Sequence, residues 1–333
     1  MIKVTALTAS RIDPSSRFRI RQFIRALASL GVLVSEYAPI INRYKIEPLP
    51  WLAMATRIPG LLASRYSDVT WFGRELVSGR YSLEDWAGKK RLFDVDDAIW
   101  LSYEADFSEK IVQHCDGVIA GNRFLAEHYE KLGARVWVVP TSVDTDIWKP
   151  RQDVARDKWT VGWIGSFANL HFLYAIEEAL ADFLAAHSET QLLVVCDRAP
   201  LFKRLPMGRW TYTPWSIAQE AELVQQMDVG LMPLDDSEIA RGKCGFKMLS
   251  YMSSGLPVVV SPVGVNQEIL ERDEVGIAAS AANDWYETLD HLYRNQPLGR
   301  QMGAAGRRVV EQHYSVIANA PKLANIFREV ANG

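Results

Sequence analysis

The stretch Arg241-Gly-Lys-Cys-Gly-Phe-Lys-Met-Leu-Ser-Tyr-Met-Ser-Ser-Gly-Leu-Pro-Val-Val-Val-Ser-Pro-Val-Gly264 decides the reading of the chain. Apolar positions at helical spacing run from about Lys243 to Ser253, Gly255 and Pro257 stop them, and an apolar run over Val258–Ser261 leads to a second glycine turn. The pattern predicts a helix feeding a buried strand, the repeating unit of parallel α/β sheets. On that helix Lys243 and Lys247 fall one turn apart on one face, with Arg241 just ahead of them. A helix start already carries about half a positive charge, so cations gathered there are electrostatically unfavourable unless an anion joins them. A phosphate meets that requirement, and the flanking glycines let a ligand approach the backbone. Solvated surface lysines are the plain alternative.

Together with Asp228-Val-Gly-Leu-Met-Pro-Leu234 upstream, the stretch resembles the donor-binding half of glycosyltransferase family 4, in the subgroup with the Gly-Lys-Cys-x-Phe-Lys pattern. The resemblance implies the α/β GT-B fold: two Rossmann-like doubly wound domains facing a cleft, with a C-terminal helix crossing back to the first. It also implies transfer of a hexose from a nucleotide diphosphate sugar to a hydroxyl of a glycan or lipid-linked acceptor, as in polysaccharide biosynthesis, with retention of configuration. No metal and no cofactor besides the nucleotide sugar is expected. Arg241, Lys243, Cys244, Gly245 and Phe246 would contact the donor, and Lys247 would stabilise the leaving diphosphate. Most members carry a pair of glutamates here, at positions corresponding to about Gly242 and Ser250, and this chain lacks both. Their absence favours the rival reading of a non-catalytic sugar-nucleotide or glycan-binding subunit. A nicotinamide dehydrogenase is disfavoured because no G-x-G-x-x-G follows either first strand.

At 333 residues the chain has room for two Rossmann-like units. With 48% hydrophobic and 23% charged residues the composition is that of an ordinary globular protein, and a net charge of -3 gives no reason to expect nucleic acid. Cys115, Cys196 and Cys244 are too scattered for a disulfide framework or a zinc site. The start Met1-Ile-Lys-Val-Thr-Ala-Leu7 enters a strand pattern with no signal peptide, and no long apolar run follows. These features predict a cytoplasmic protein. Residues Pro39–Arg65 mix Trp51, Leu52, Met54, Leu61 and Leu62 with Arg43, Lys45, Arg57 and Arg65. They read either as a core-facing helix with a charged back or as an amphipathic surface suited to the inner membrane face or an apolar acceptor.

Alternating strand and helix patterns in both halves give a first domain over residues 1–150, which resembles the acceptor-binding domain of the family, and a nucleotide-sugar domain over 151–310. A closing helix over 311–333 is expected to break at Pro321, and Pro150–Lys158 reads as a linker. Ser16, Arg17 and Arg19 follow the first strand, where α/β sheets bind ligands, and stand where the family's glycine-rich loop faces the donor phosphates. Arg74 follows the third strand. Asp94, Asp96 and Asp97 follow the fourth, and three readings stand for them. Asp97 caps the next turn; Asp94 and Asp96 form a D-x-D metal motif; or Asp96 and Asp97 face the acceptor hydroxyl as base or anchor. In the second half, Gly165 and Ser166 form the turn a phosphate would approach. The family's arginine and lysine after this turn are missing between Gly165 and Glu189. Trp215 reads as a nucleobase platform or as core, and Glu220 matches the family's ribose-contacting glutamate.

Overall fold

The computed structural model describes residues 1–39, 54–102, 107–150 and 157–333. Residues 40–53 of the amphipathic stretch and 151–156 of the linker lie outside the described residues. The chain forms two compact units. The first comprises Met1–Ser142, Arg241–Cys244 and Val316–Gly333, and the second Val143–Ala240 and Gly245–Ser315.

The first unit contains β1 (Ile2–Leu7), β2 (Val32–Tyr37), β3 (Val69–Gly73), β4 (Arg91–Val95), β5 (Gly117–Ala120) and β6 (Val136–Val138). They pair in parallel in the order β2-β1-β3-β4-β5-β6. Adjacent residues enter opposite cores, as the pleat requires. Trp71, Leu92 and Ile119 face one layer, and Phe72, Phe93 and Val118 the other. The first layer is closed by the helix Val316–Asn332, whose Val316, Ala320, Leu323, Ala324 and Phe327 form one apolar stripe. Phe327 meets Trp71 edge to face with ring centroids 5.0 Å apart. The break expected at Pro321 falls instead at Ser315, in extended backbone, and Pro321 lies inside the helix. A proline there removes the intrahelical donor to one carbonyl, that of Ile317, a residue 72% exposed.

The second unit contains β7 (Trp159–Gly165), β8 (Thr190–Cys196), β9 (Trp210–Pro214), β10 (Val229–Met232), β11 (Val258–Val260) and β12 (Gly276–Ala278). Their order, β12-β11-β10-β7-β8-β9, is again all parallel. Strand order reverses between β7 and β10 here and between β1 and β3 in the first unit. Such reversals leave a crevice beyond the carboxyl ends of the strands.

The helix of the decisive stretch spans Phe246–Ser253 and does not begin at Lys243. Gly245, at φ +69°, turns the chain through the left-handed region just before it, a conformation that favours glycine. Lys243 and Lys247 therefore do not share a helix face. The buried Tyr251 of this helix reaches the β7/β10 reversal, where the ladder ends at Gly162, and its hydroxyl accepts a 2.9 Å hydrogen bond from the Ile164 amide. Tyr251→Phe leaves that buried amide without a partner and is expected to cost about 1–3 kcal/mol. Urea titration should show a lower midpoint with an unchanged slope; an unchanged midpoint would mean the amide does not depend on the hydroxyl.

Candidate functional site

In the first unit, the loop leaving β1 is tied together by its own side chains. Asp13 Oδ2 accepts from the Ser16 amide at 2.9 Å and the Ser16 hydroxyl at 3.0 Å, and Ser16 Oγ accepts from the Ala9 amide at 3.1 Å. Ser16 is fully buried, and its hydroxyl is spent inside the loop. Ser16–Ile20 then makes one widened helical turn that carries Arg19 inward. Arg19 Nε donates to Asp94 Oδ1 at 2.7 Å and its Nη1 to the Val139 carbonyl at 2.7 Å, while the Trp71 indole donates to Asp94 Oδ2 at 3.2 Å. Both ions of this pair are buried, so Ser16 and Arg19 are tied into the scaffold of the first unit, with Arg19 Nη2 buried and making no hydrogen bond to the described residues. Asp94 is held the same way, which removes the D-x-D metal reading. Arg17 is half-buried, with its guanidinium 4.6 Å over the Phe18 ring.

The acids beyond β4 are arranged differently. Asp96 is half-buried and accepts a 2.7 Å hydrogen bond from the Ser15 hydroxyl. Burial, reinforced by the neighbouring Asp97, pushes its carboxyl up to about 6. Arg74, at the exit of β3, has φ 68°, the only left-handed non-glycine among the described residues. Its Nη1 lies 3.7 Å from Asp97 Oδ2. Holding a side-chain-bearing residue there costs about 1–2 kcal/mol, and such strain concentrates at functional positions. A carboxyl titrating near neutrality with a strained arginine close by, beyond the carboxyl ends of β3 and β4, is equipped to accept or position a proton.

The segment Arg241–Cys244 belongs to this unit. Asn122 caps the helix Arg123–Lys131 with its side-chain oxygen, and its amide nitrogen donates to the Gly242 and Lys243 carbonyls at 3.1 and 3.2 Å. Cys244 was expected at the donor. It is 8% exposed, its thiol is pushed up by burial, and it packs against Gly121, where an added Cβ would lie 2.4 Å from its sulfur. It acts as a small buried apolar residue. Arg241 is exposed and Lys243 half-buried. The two positions of the missing glutamates are both buried. A Cβ on Gly242 would lie 2.6 Å from that of Ala98, and the buried Ser250 donates to the Lys247 carbonyl at 2.7 Å.

In the second unit, Gly165 ends β7 and Ser166 Oγ accepts from Asn169 Nδ2 at 2.8 Å. The Trp163 indole packs against Gly165 so closely that a Cβ would sit 2.5 Å from its ring. The Lys247 ammonium stands 4.8 Å over that same indole. Gly245 and Phe246 lead into the helix, and the Phe246 ring meets Trp148 at 5.8 Å. The Trp215 indole donates to Glu220 Oε2 at 2.9 Å. Trp215 packs against the core and Glu220 is 6% exposed, so the geometry favours core over nucleobase platform for the first and places the second as its anchor. Sequence reading missed Arg198. It lies just past β8, with its guanidinium 4.7 Å over the Phe167 ring. The signal was in the pairing of β7 with β8, which spacing from Gly165 along the chain does not contain. Among the described residues no group of three or more His, Cys, Asp or Glu is placed to hold a metal ion, and no helix is long and apolar enough to cross a membrane.

Residues 158–295 match the family model described as Glycosyl transferases group 1. No curated protein matched the chain. Solved structures similar to it include sucrose-phosphate synthase from Thermosynechococcus elongatus, at TM-score 0.73 and 16% identity, covering 98% of this chain and 99% of that one. HepE from Anabaena in complex with UDP and glucose aligns at TM-score 0.72 and 12% identity, over 98% of this chain and 100% of that one. The catalytic domain of starch synthase IV from Arabidopsis thaliana, bound to ADP and acarbose, aligns at TM-score 0.72 and 10% identity over 100% of both. The fold is GT-B, as in these structures, and the family-model match lies within the second unit apart from Arg241–Cys244.

Two outcomes follow from the first unit's geometry. Arg74→Gly relieves backbone strain of about 1–2 kcal/mol but removes the guanidinium that stands 3.7 Å from both the buried Glu75 carboxylate and Asp97, so its melting temperature should fall. A melting temperature no lower than the wild type would show that the strain outweighs those contacts. Asp96 has a folded pKa of about 6, above its ordinary 3.8, so the fold favours its protonated form. That contribution is complete below about pH 4 and is lost as pH rises through about 6. The melting temperature of the wild type should therefore fall relative to Asp96→Asn across this window, and parallel curves would remove the assignment.

Proposed function

We propose that the protein transfers a hexose from a nucleotide diphosphate sugar to a hydroxyl of a glycan or lipid-linked acceptor, as a family 4 type glycosyltransferase that retains anomeric configuration and needs no metal. The observation that carries this reading is that the residues matching the family model include both Gly165 and Lys247, which pack on the same Trp163 indole at the end of β7. In the reaction the bond from the anomeric carbon to the β-phosphate oxygen breaks, and a bond to the acceptor oxygen forms. Negative charge grows on the departing diphosphate, and a fixed ammonium at Lys247 would stabilise it where preorganised charge counts most. Asp96, ionised above about pH 6, would take or orient the acceptor hydroxyl proton, with Asp97 held by Arg74 as its neighbour. Arg17, Arg241 and Lys243 remain candidate donor contacts on the first unit. By sequence the apolar and basic residues of 40–53 would suit a lipid-linked acceptor at the inner membrane face, whereas Arg57 and Leu61 are buried in the first unit.

The rival reading, a binding subunit without chemistry, is favoured by the buried positions at Gly242 and Ser250, which leave no glutamate to contact the sugar.

A thermal-shift panel of UDP, GDP, dTDP, ADP and CMP sugars, with and without magnesium, tests the donor assignment. A ligand at 100 times its dissociation constant should add about 2.7 kcal/mol of stability. One nucleotide stabilising without metal, and losing its effect in Lys247→Ala, is expected; no shift with any of them would sink the donor assignment. Turnover separates the two readings, since Asp96→Asn and Asp97→Ala should each slow an enzyme by about 100-fold or more while leaving donor binding intact.

A further inference from the structure

The chain from Gly165 to Glu189 contains no lysine or arginine, so the turn after β7 brings no cation of its own. The sheet supplies one from the next strand. β7 and β8 pair in parallel with Gly165 opposite Cys196, so the residues that follow each strand leave the carboxyl edge side by side. Asp197 Oδ1 accepts from the Phe167 amide at 2.6 Å, which locks the two exits together and turns that carboxylate toward the backbone. Arg198, the next residue, lays its guanidinium over the Phe167 ring at 4.7 Å. Stacking of this kind fixes the plane of the guanidinium while leaving its N–H groups free to donate edgewise. Arg198 and Phe167 are both exposed, and among the described residues no carboxylate pairs with Arg198. On the other side of the turn, Trp163 packs against Gly165 and carries the Lys247 ammonium over its own ring. Two aromatic residues of one strand exit, two positions to either side of Gly165, thus each hold a cation.

We propose that Arg198 is a donor-binding residue: its guanidinium takes the diphosphate of the nucleotide sugar at the Gly165–Ser166 turn, paired with Lys247 across that turn. The inference rests on the donor reading above and adds its phosphate contact. A planar fork matches two phosphate oxygens at once, whereas the lysine acts as a point charge. The second unit would then carry both cations itself, from β8 and from the helix Phe246–Ser253.

The test uses the full chain and the nucleoside diphosphate that binds the wild type best among UDP, GDP, dTDP and ADP, with its nucleoside as control. By calorimetry, Arg198→Ala should weaken the diphosphate by about 10- to 100-fold, as loss of a charge-assisted contact does, and leave the nucleoside unchanged. Arg198→Lys should recover part of the loss. The apo melting temperature should not move, because Arg198 is exposed. Diphosphate binding by Arg198→Ala as tight as wild type overturns the inference while the donor reading stands. Equal weakening of nucleoside and diphosphate, with a lower apo melting temperature, overturns it in favour of a loop-supporting role. If the wild type binds none of the four, the donor reading and the inference fall together.

Discussion

The buried pair of Arg19 and Asp94 is the contact around which the first unit closes. Its guanidinium reaches from the widened turn after β1 to β4 and to the carbonyl of Val139 beyond β6, and Trp71 of β3 completes the carboxylate's partners. Two charges removed from water cost several kcal/mol each, and they are tolerated only when geometry and further hydrogen bonds compensate. Here one ion pair fixes the exits of four strands relative to one another. That fixation lets Ser15 deliver its hydroxyl to Asp96 and keeps the acids beyond β4 close to Arg74. The ion pair is not itself the chemistry. It gives the chemistry its frame.

The decisive strand was legible because a parallel strand buried on both faces reads as a short apolar run, and the run over Val258–Ser261 appears as the strand Val258–Val260. The decisive helix was legible in its body and in its stop but not in its start. A left-handed glycine ahead of a helix leaves the apolar periodicity looking continuous through Lys243, and only backbone geometry separates the two lysines. The arginines after β1 were not separable on paper either. Arg17 and Arg19 sit two apart in one loop, and which of them turns inward depends on a widened turn that no spacing announces.

Arg198 was illegible for a different reason. A search along the chain from Gly165 looks forward through one loop, whereas a parallel sheet assembles its carboxyl edge from loops that are distant in sequence. The missing glutamates show the reverse case, in which an absence visible in the sequence acquires a cause. Gly242 is pressed against Ala98 and Ser250 is fully buried with its hydroxyl on the Lys247 carbonyl, so a glutamate at either position would have to displace its neighbours. The substitution pattern of this stretch is thus a packing solution, with Cys244 filling the space above Gly121.

The first unit is discontinuous along the chain, and this bears on the order in which the protein can be made. Its sheet is encoded before residue 143, yet Arg241–Cys244 and the helix that covers one face of its core, Val316–Asn332, follow later. A ribosome releases the whole of the second unit before that helix emerges. Until then Trp71 and its neighbours lack the Phe327 stripe that shields them, although Asn122 gains the carbonyls it holds earlier, once Gly242 and Lys243 have emerged. The nascent sheet must wait with an apolar face uncovered while its sibling completes, a state in which exposed parallel strands are prone to stick. The connectivity of the chain thus leaves one face of the first sheet to be covered last, independently of how stable the finished protein is.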